Sequence, residues 1–207
     1  MTVYKAILFD LDGTLVDTMD LYKQAFNEHL KPYGKEVNFD NGKYGGTPVK
    51  EILKDIFTNQ TTIPIEELTE EILKTSKELL LTKQIDLIPG VNDFLEKYKE
   101  EYLFAIGSGS QKEVITHIVK AVNKETYFKE LISTHEVEKG KPHPDIWIEA
   151  AKRLNVKPSE CIVVEDAISG MLGGIAAGMR VIGVVKDVNK EYPTKELYES
   201  FNDIKLC

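Results

Sequence analysis

Asp10 and Asp12 stand two residues apart in the segment Phe9-Asp10-Leu11-Asp12-Gly13-Thr14, directly after the apolar run Ala6-Ile7-Leu8. Alternation along an extended chain sends both carboxylates to the same side. Like charges this close repel, and desolvation at the end of a buried strand adds to the cost. Such a pair is worth keeping where a cation or a reaction needs it. Gly13 lets the chain turn sharply after them. A calcium-loop reading fails, because the glycine stands at the fourth position, where an EF-hand loop needs it at the sixth.

Three more polar groups of matching chemistry lie at or near the ends of apolar runs. Gly107-Ser108-Gly109-Ser110 follows Leu103 to Ile106, Glu165-Asp166 follows Cys161 to Val164, and Lys139-Gly140-Lys141-Pro142 precedes a helical pattern around Trp147. Together they would supply hard oxygen ligands for Mg²⁺, a hydroxyl and backbone N–H groups for an anion, and a compact ammonium. That combination suits phosphoryl transfer, where positioning and charge neutralisation provide most of the catalysis.

The elements that must position these groups are legible as alternating strands and helices. Ala6–Phe9, Leu103–Ile106, Cys161–Val164 and Val181–Val185 read as buried parallel strands. Pro144 to Leu154 reads as a helix with Pro144 in its first turn, and Asn92 to Tyr98 as another after the Pro89-Gly90 turn. The pattern predicts an α/β fold, a doubly wound parallel sheet with its site at the carboxyl ends of the strands. Residues 17–86 differ, having helical periodicity and no strong strand candidate. The expected division is therefore an α/β catalytic core of 1–16 with 87–207, and an inserted all-helical domain of 17–86. Placed between the first two strands, that insert would sit above the carboxyl ends, where a lid belongs.

In these four motifs, in this order, the chain resembles the haloacid dehalogenase superfamily of Mg²⁺-dependent phosphotransferases, over essentially its whole length. The resemblance implies a Rossmann-like core with a helical cap. It implies Asp10 as a nucleophile that forms an aspartyl-phosphate, and Asp12 as the acid that protonates the leaving oxygen and then the base that activates water. Ser108 and Lys141, with Gly109 beside them, would hold the phosphoryl oxygens. Asp10, the Asp12 backbone carbonyl and Asp166 would hold Mg²⁺, with Glu165 a ligand directly or through water. Glu165-Asp166 would equally suit the start of a helix.

Within the superfamily, Asp12 favours phosphate chemistry over dehalogenation, since a departing halide needs no proton. The motif wording is similar to that of β-phosphoglucomutase and of small phosphatases acting on sugar phosphates or phosphoglycolate. In register with the first motif, a histidine of the mutase's first cap helix is replaced by Tyr22, and the cap loop Lys43-Tyr44-Gly45-Gly46-Thr47 has no arginine. A phosphatase is therefore expected ahead of a mutase. Lys43, Thr47, Tyr22 and Lys77 are the candidates to meet the distal part of the substrate. A receiver-like or catalytically silent module is the alternative from another class, but it needs neither Asp12 nor a lid of this size.

Composition narrows the partners. A net charge of −8 without a Lys/Arg stripe argues against nucleic acid. Two cysteines make no disulfide framework, and no signal peptide or membrane-length apolar run is evident. A soluble cytoplasmic monomer acting on a small phosphorylated metabolite is expected. His29, His117, His135 and His143 read as surface, packing or loop residues and Trp147 as core. Ser110 reads as turn and Lys139 as solvated charge. Gly170, Gly173, Gly174 and Gly178 read as close helix–sheet packing and a helix stop.

Overall fold

The computed structural model describes residues 3–39, 44, 47–58 and 60–206. Their backbone divides into two compact units, residues 1–17 with 85–207 and residues 18–84. The first holds six strands, β1 Ala6–Phe9, β2 Leu103–Ser108, β3 Phe128–Ser133, β4 Cys161–Glu165, β5 Arg180–Val184 and β6 Leu197–Tyr198. They form one sheet in the order β3-β2-β1-β4-β5-β6, and every neighbouring pair is parallel. A parallel strand must be buried on both faces, which is why β1 reads as an unbroken apolar run and all four of its residues are fully buried.

Alternation along β1 sends Leu8 and Phe9 to opposite faces. Leu8 shares a core with Ile146, Trp147, Ala150 and Met171 of α6 (Asp145–Arg153) and α7 (Ile168–Ala176). Phe9 meets the rings of Phe104 and Phe128 edge-on, and that of Phe94 on α4 (Val91–Tyr98). The sheet is thus covered on both sides, as a doubly wound fold requires. α5 (Lys112–Ala121) lies between β2 and β3 in the chain.

The second unit is helical. It contains α1 (Met19–Leu30), α2 (Val49–Ile56) and α3 (Ile65–Thr82). Phe26 and Leu30 pack with Ile52, Leu53, Leu68 and Ile72 in a core of their own. No helix among the described residues is long and apolar enough to cross a membrane.

Three expectations need correction. β3 and β6 were not foreseen, because Phe-Lys-Glu-Leu-Ile-Ser carries two charges and β6 is two residues long. Pro144 caps α6 from outside instead of sitting in its first turn. β2 runs two residues further than Ile106, so Gly107 and Ser108 belong to the strand.

Candidate active site

The parallel register sets Phe9 against Val164 on β4 and against Ile106 on β2. Continuing each strand past that rung brings Asp10 beside Glu165 at the carboxyl edge, and Asp10 N–H donates to the Val164 carbonyl at 3.0 Å. One carboxylate oxygen each from Asp10, Glu165 and Asp166 lie within 4.8 Å of one another. Lys141, 131 residues along the chain from Asp10, donates to Asp10 Oδ1 at 2.5 Å and to Glu165 Oε1 at 2.6 Å. The Glu165 side chain is 1 % exposed.

Burial dominates the electrostatics. It pushes Glu165 up to about 7, with Lys141 pulling against it and Asp10 adding to it. Burial also raises Asp166 well above the usual carboxylate range, reinforced by the charges of Glu165 and Asp10. For Lys141 burial acts downward, but the Asp10 and Glu165 carboxylates outweigh it and hold the ammonium charged. Three carboxylates against one ammonium leave two negative charges uncompensated when all are ionised. A set of hard oxygens with that excess can hold a divalent cation.

Each member has its own support. Lys141 Nζ lies 4.7 Å from the centre of the Trp147 ring, so the residue expected only as core also presents its π face to the ammonium. The Trp147 indole in turn donates to the Gly170 carbonyl at 3.1 Å. Asp166 Oδ1 accepts from the buried Thr14 hydroxyl at 2.9 Å. Gly13 has a φ of +93°, and a Cβ there would lie 2.7 Å from Asp166 Oδ2, so both the turn and the approach of Asp166 call for glycine. Glu165 Oε2 accepts from the Ala167 N–H at 2.7 Å, just before α7 begins.

Gly170 is the tightest point. A Cβ there would fall 1.6 Å from Glu165 Oε1, the atom that accepts from Lys141. The expectation of simple helix–sheet packing suits Gly174, which lies against Val163 and Val181, but Gly170 makes room for a charged group. Gly170→Ala is expected to drive Glu165 off Lys141 and cost about 1–3 kcal/mol. Denaturant unfolding measures this, and an unchanged midpoint would show that Glu165 can move freely.

Asp12 is not one of those three acids and has partners of its own. Its Oδ2 accepts from Ser108 Oγ at 3.2 Å and from Ser110 Oγ at 2.9 Å. The Ser110 N–H also donates to Ser108 Oγ, at 3.0 Å. Ser108 faces Ser133 in the β2–β3 register, and the Ser133 hydroxyl donates to the Ser110 carbonyl at 2.7 Å. Ser110 stands in the turn after β2 as expected, and its hydroxyl also reaches Asp12. The contact spans 98 positions of sequence, and Ser133 lies on a strand the sequence did not reveal. Gly109 beside them is exposed, with nothing near the place of its missing Cβ.

Tyr22 stands on α1, Lys77 on α3 and Thr47 before α2, all in the helical unit and all partly buried. Lys43 lies outside the described residues. Lys139 is exposed as expected. His29 is less bland than expected, lying 2.8 Å from Thr75 Oγ1 and 3.4 Å from Glu71.

Residues 7–184 match the family model described as haloacid dehalogenase-like hydrolase. The chain belongs to that family. Among its haloacid dehalogenase-like relatives is the phosphorylated carbohydrates phosphatase of Thermotoga maritima, 31 % identical over 89 % of this chain and 87 % of that protein. The β-phosphoglucomutase of Bacillus subtilis is 30 % identical over 87 % of this chain and 83 % of that one. Among solved structures, a family IA haloacid dehalogenase hydrolase from Entamoeba histolytica superposes with a TM-score of 0.82 at 28 % identity, covering 98 % of this chain and 96 % of its own. The chain is thus an enzyme of the hydrolase type.

Proposed function

We propose that this protein is a Mg²⁺-dependent phosphatase that hydrolyses a small phosphorylated metabolite of the sugar phosphate or phosphoglycolate type through an aspartyl-phosphate on Asp10. The observation that carries the reading is the cluster of Asp10, Glu165 and Asp166 around Lys141, with Asp12, two residues from Asp10, held on the Ser108 and Ser110 hydroxyls. The names of the relatives above agree with phosphate-ester chemistry.

In this proposal a carboxylate oxygen of Asp10 attacks phosphorus while the bond to the leaving oxygen breaks. Asp12 gives that oxygen its proton. Water then attacks the aspartyl-phosphate, Asp12 takes its proton back, and the Asp10–phosphorus bond breaks to release phosphate. Ser108 and the Lys141 ammonium bind the phosphoryl oxygens. Asp10, Asp166 and the Asp12 carbonyl would hold Mg²⁺, with Glu165 near them. When bound, the cation supplies charge neutralisation for the transferring group.

The cation fits what burial does to the cluster. A carboxyl raised from 4.5 to about 7 favours the fold while it carries its proton. That contribution is present below about pH 4.5 and is lost as the pH rises through 7. Mg²⁺ takes the place of the protons, so its stabilisation should grow over the same range. The expected result is loss of turnover in EDTA, recovery with Mg²⁺, and a Mg²⁺-induced rise in Tm that is larger at about pH 8 than at about pH 5.5. A Tm indifferent to Mg²⁺ at both values would remove the metal role of these acids.

The likeness to the Bacillus subtilis protein keeps a sugar phosphomutase as the second reading. Tyr22 and a cap loop without arginine favour the phosphatase. The deciding experiment measures phosphate release from sugar phosphates, phosphoglycolate and nucleoside monophosphates with Mg²⁺. β-Glucose 1-phosphate is followed in parallel for isomerisation. Phosphate from a narrow group supports hydrolysis, and glucose 6-phosphate without free phosphate makes it a mutase.

A further inference from the structure

Ser108 Oγ has one proton to donate, and in this structure Asp12 Oδ2 accepts it. In the proposed reaction the same hydroxyl must serve a phosphoryl oxygen. It cannot do both at once. When the phosphoryl group takes the Ser108 proton, Asp12 loses that donor. Ser110 Oγ is a donor that the phosphoryl group does not recruit in this reaction, at 2.9 Å from the same oxygen and closer than Ser108.

The backbone around Ser110 is built for this. Its carbonyl accepts from Ser133 Oγ, a hydroxyl that is fully buried and that also accepts from the His135 N–H at 3.2 Å. Its own N–H donates to Ser108 Oγ. The turn after β2 is thereby tied to the end of β2 and to β3, and the Ser110 side chain is aimed at Asp12 from a fixed base.

From this geometry we infer that Ser110 is a positioning residue for Asp12, holding the acid's rotamer through the step in which Ser108 is recruited by the phosphoryl group. The inference rests on the aspartyl-phosphate reading. Removing one hydroxyl that donates to a carboxylate corresponds to about a tenfold to hundredfold loss in rate. Because Ser110 acts through Asp12, the loss falls on kcat.

The test is a double-mutant cycle on whichever sugar phosphate wild type hydrolyses, repeated on p-nitrophenyl phosphate. The nitrophenolate leaves without a proton, so formation of the aspartyl-phosphate, read as the first-turnover release of nitrophenolate, stays measurable in an Asp12→Ala background that lacks the base for the second step. Ser110→Ala is expected to lower kcat about tenfold to hundredfold on the sugar phosphate with KM within about twofold, and Ser110→Thr to recover most of it. In the Asp12→Ala background Ser110→Ala should cost nothing further. A raised KM with kcat held would make Ser110 a substrate contact and overturn the inference. So would an equal loss in both backgrounds, or no loss in either. Phosphate release by wild type with any of these outcomes leaves the phosphatase reading standing. Wild type that releases phosphate from neither substrate overturns that reading, and the role of Ser110 with it.

Discussion

Asp10→Asn is expected to lower turnover by at least about a thousandfold while the protein stays folded. The amide nearly matches the carboxylate in shape but cannot attack phosphorus. Glu165, the neighbouring carboxylate at the end of β4, is already engaged with Lys141 and the Ala167 N–H. The fold should gain as much as it loses. Asp10 is one of three acids within 4.8 Å of one another, so neutralising it relieves repulsion on Glu165 and Asp166 even as Lys141 loses one partner. A melting temperature near wild type in EDTA, with phosphate release at background, is the expected pair of results. A rate above about a thousandth of wild type would refute the nucleophile assignment.

Lys141→Met should act mainly on stability. Methionine keeps an unbranched apolar stem over the Trp147 ring and deletes only the charge. Glu165 is then left 1 % exposed, with the Ala167 N–H and no cation. Breaking a buried pair in this way costs about 3–5 kcal/mol, or about 10 °C in Tm for a chain of this size. Lowering the pH should narrow the gap, since a protonated Glu165 no longer needs the ammonium. The check is a thermal melt in EDTA at two pH values. A Tm within about 2 °C of wild type at the higher one would mean that water or backbone already satisfies Glu165. Under the proposed function turnover should fall too, because Lys141 is there assigned to the phosphoryl oxygens.

How much of this was legible in the sequence follows from where each residue sits. β1, β2, β4 and β5 occupy the interior of the sheet, need apolar residues on both faces, and so announce themselves as runs. β3 and β6 are the edges. An edge strand has one neighbour and tolerates charge, which hid Lys129 and Glu130 as strand residues. The residues proposed to touch the reaction were readable because hard ligands, hydroxyl and ammonium at strand ends have few other uses. Their supports were not. Ser110, Ser133, Thr14 and Gly170 are ordinary residue types whose meaning comes only from a partner brought in by the fold, as with Thr14 and Asp166 at a separation of 152.

Trp147 is the chain's single tryptophan. It is fully buried, and its ring lies 4.7 Å from the Lys141 ammonium. The indole emission of this protein therefore originates at one place, beside the cation that faces Asp10. A phosphate or metal that draws Lys141 away changes the field at the ring. The unlabelled chain carries a built-in optical gauge of occupancy, readable on the timescale of mixing and without a chromogenic substrate.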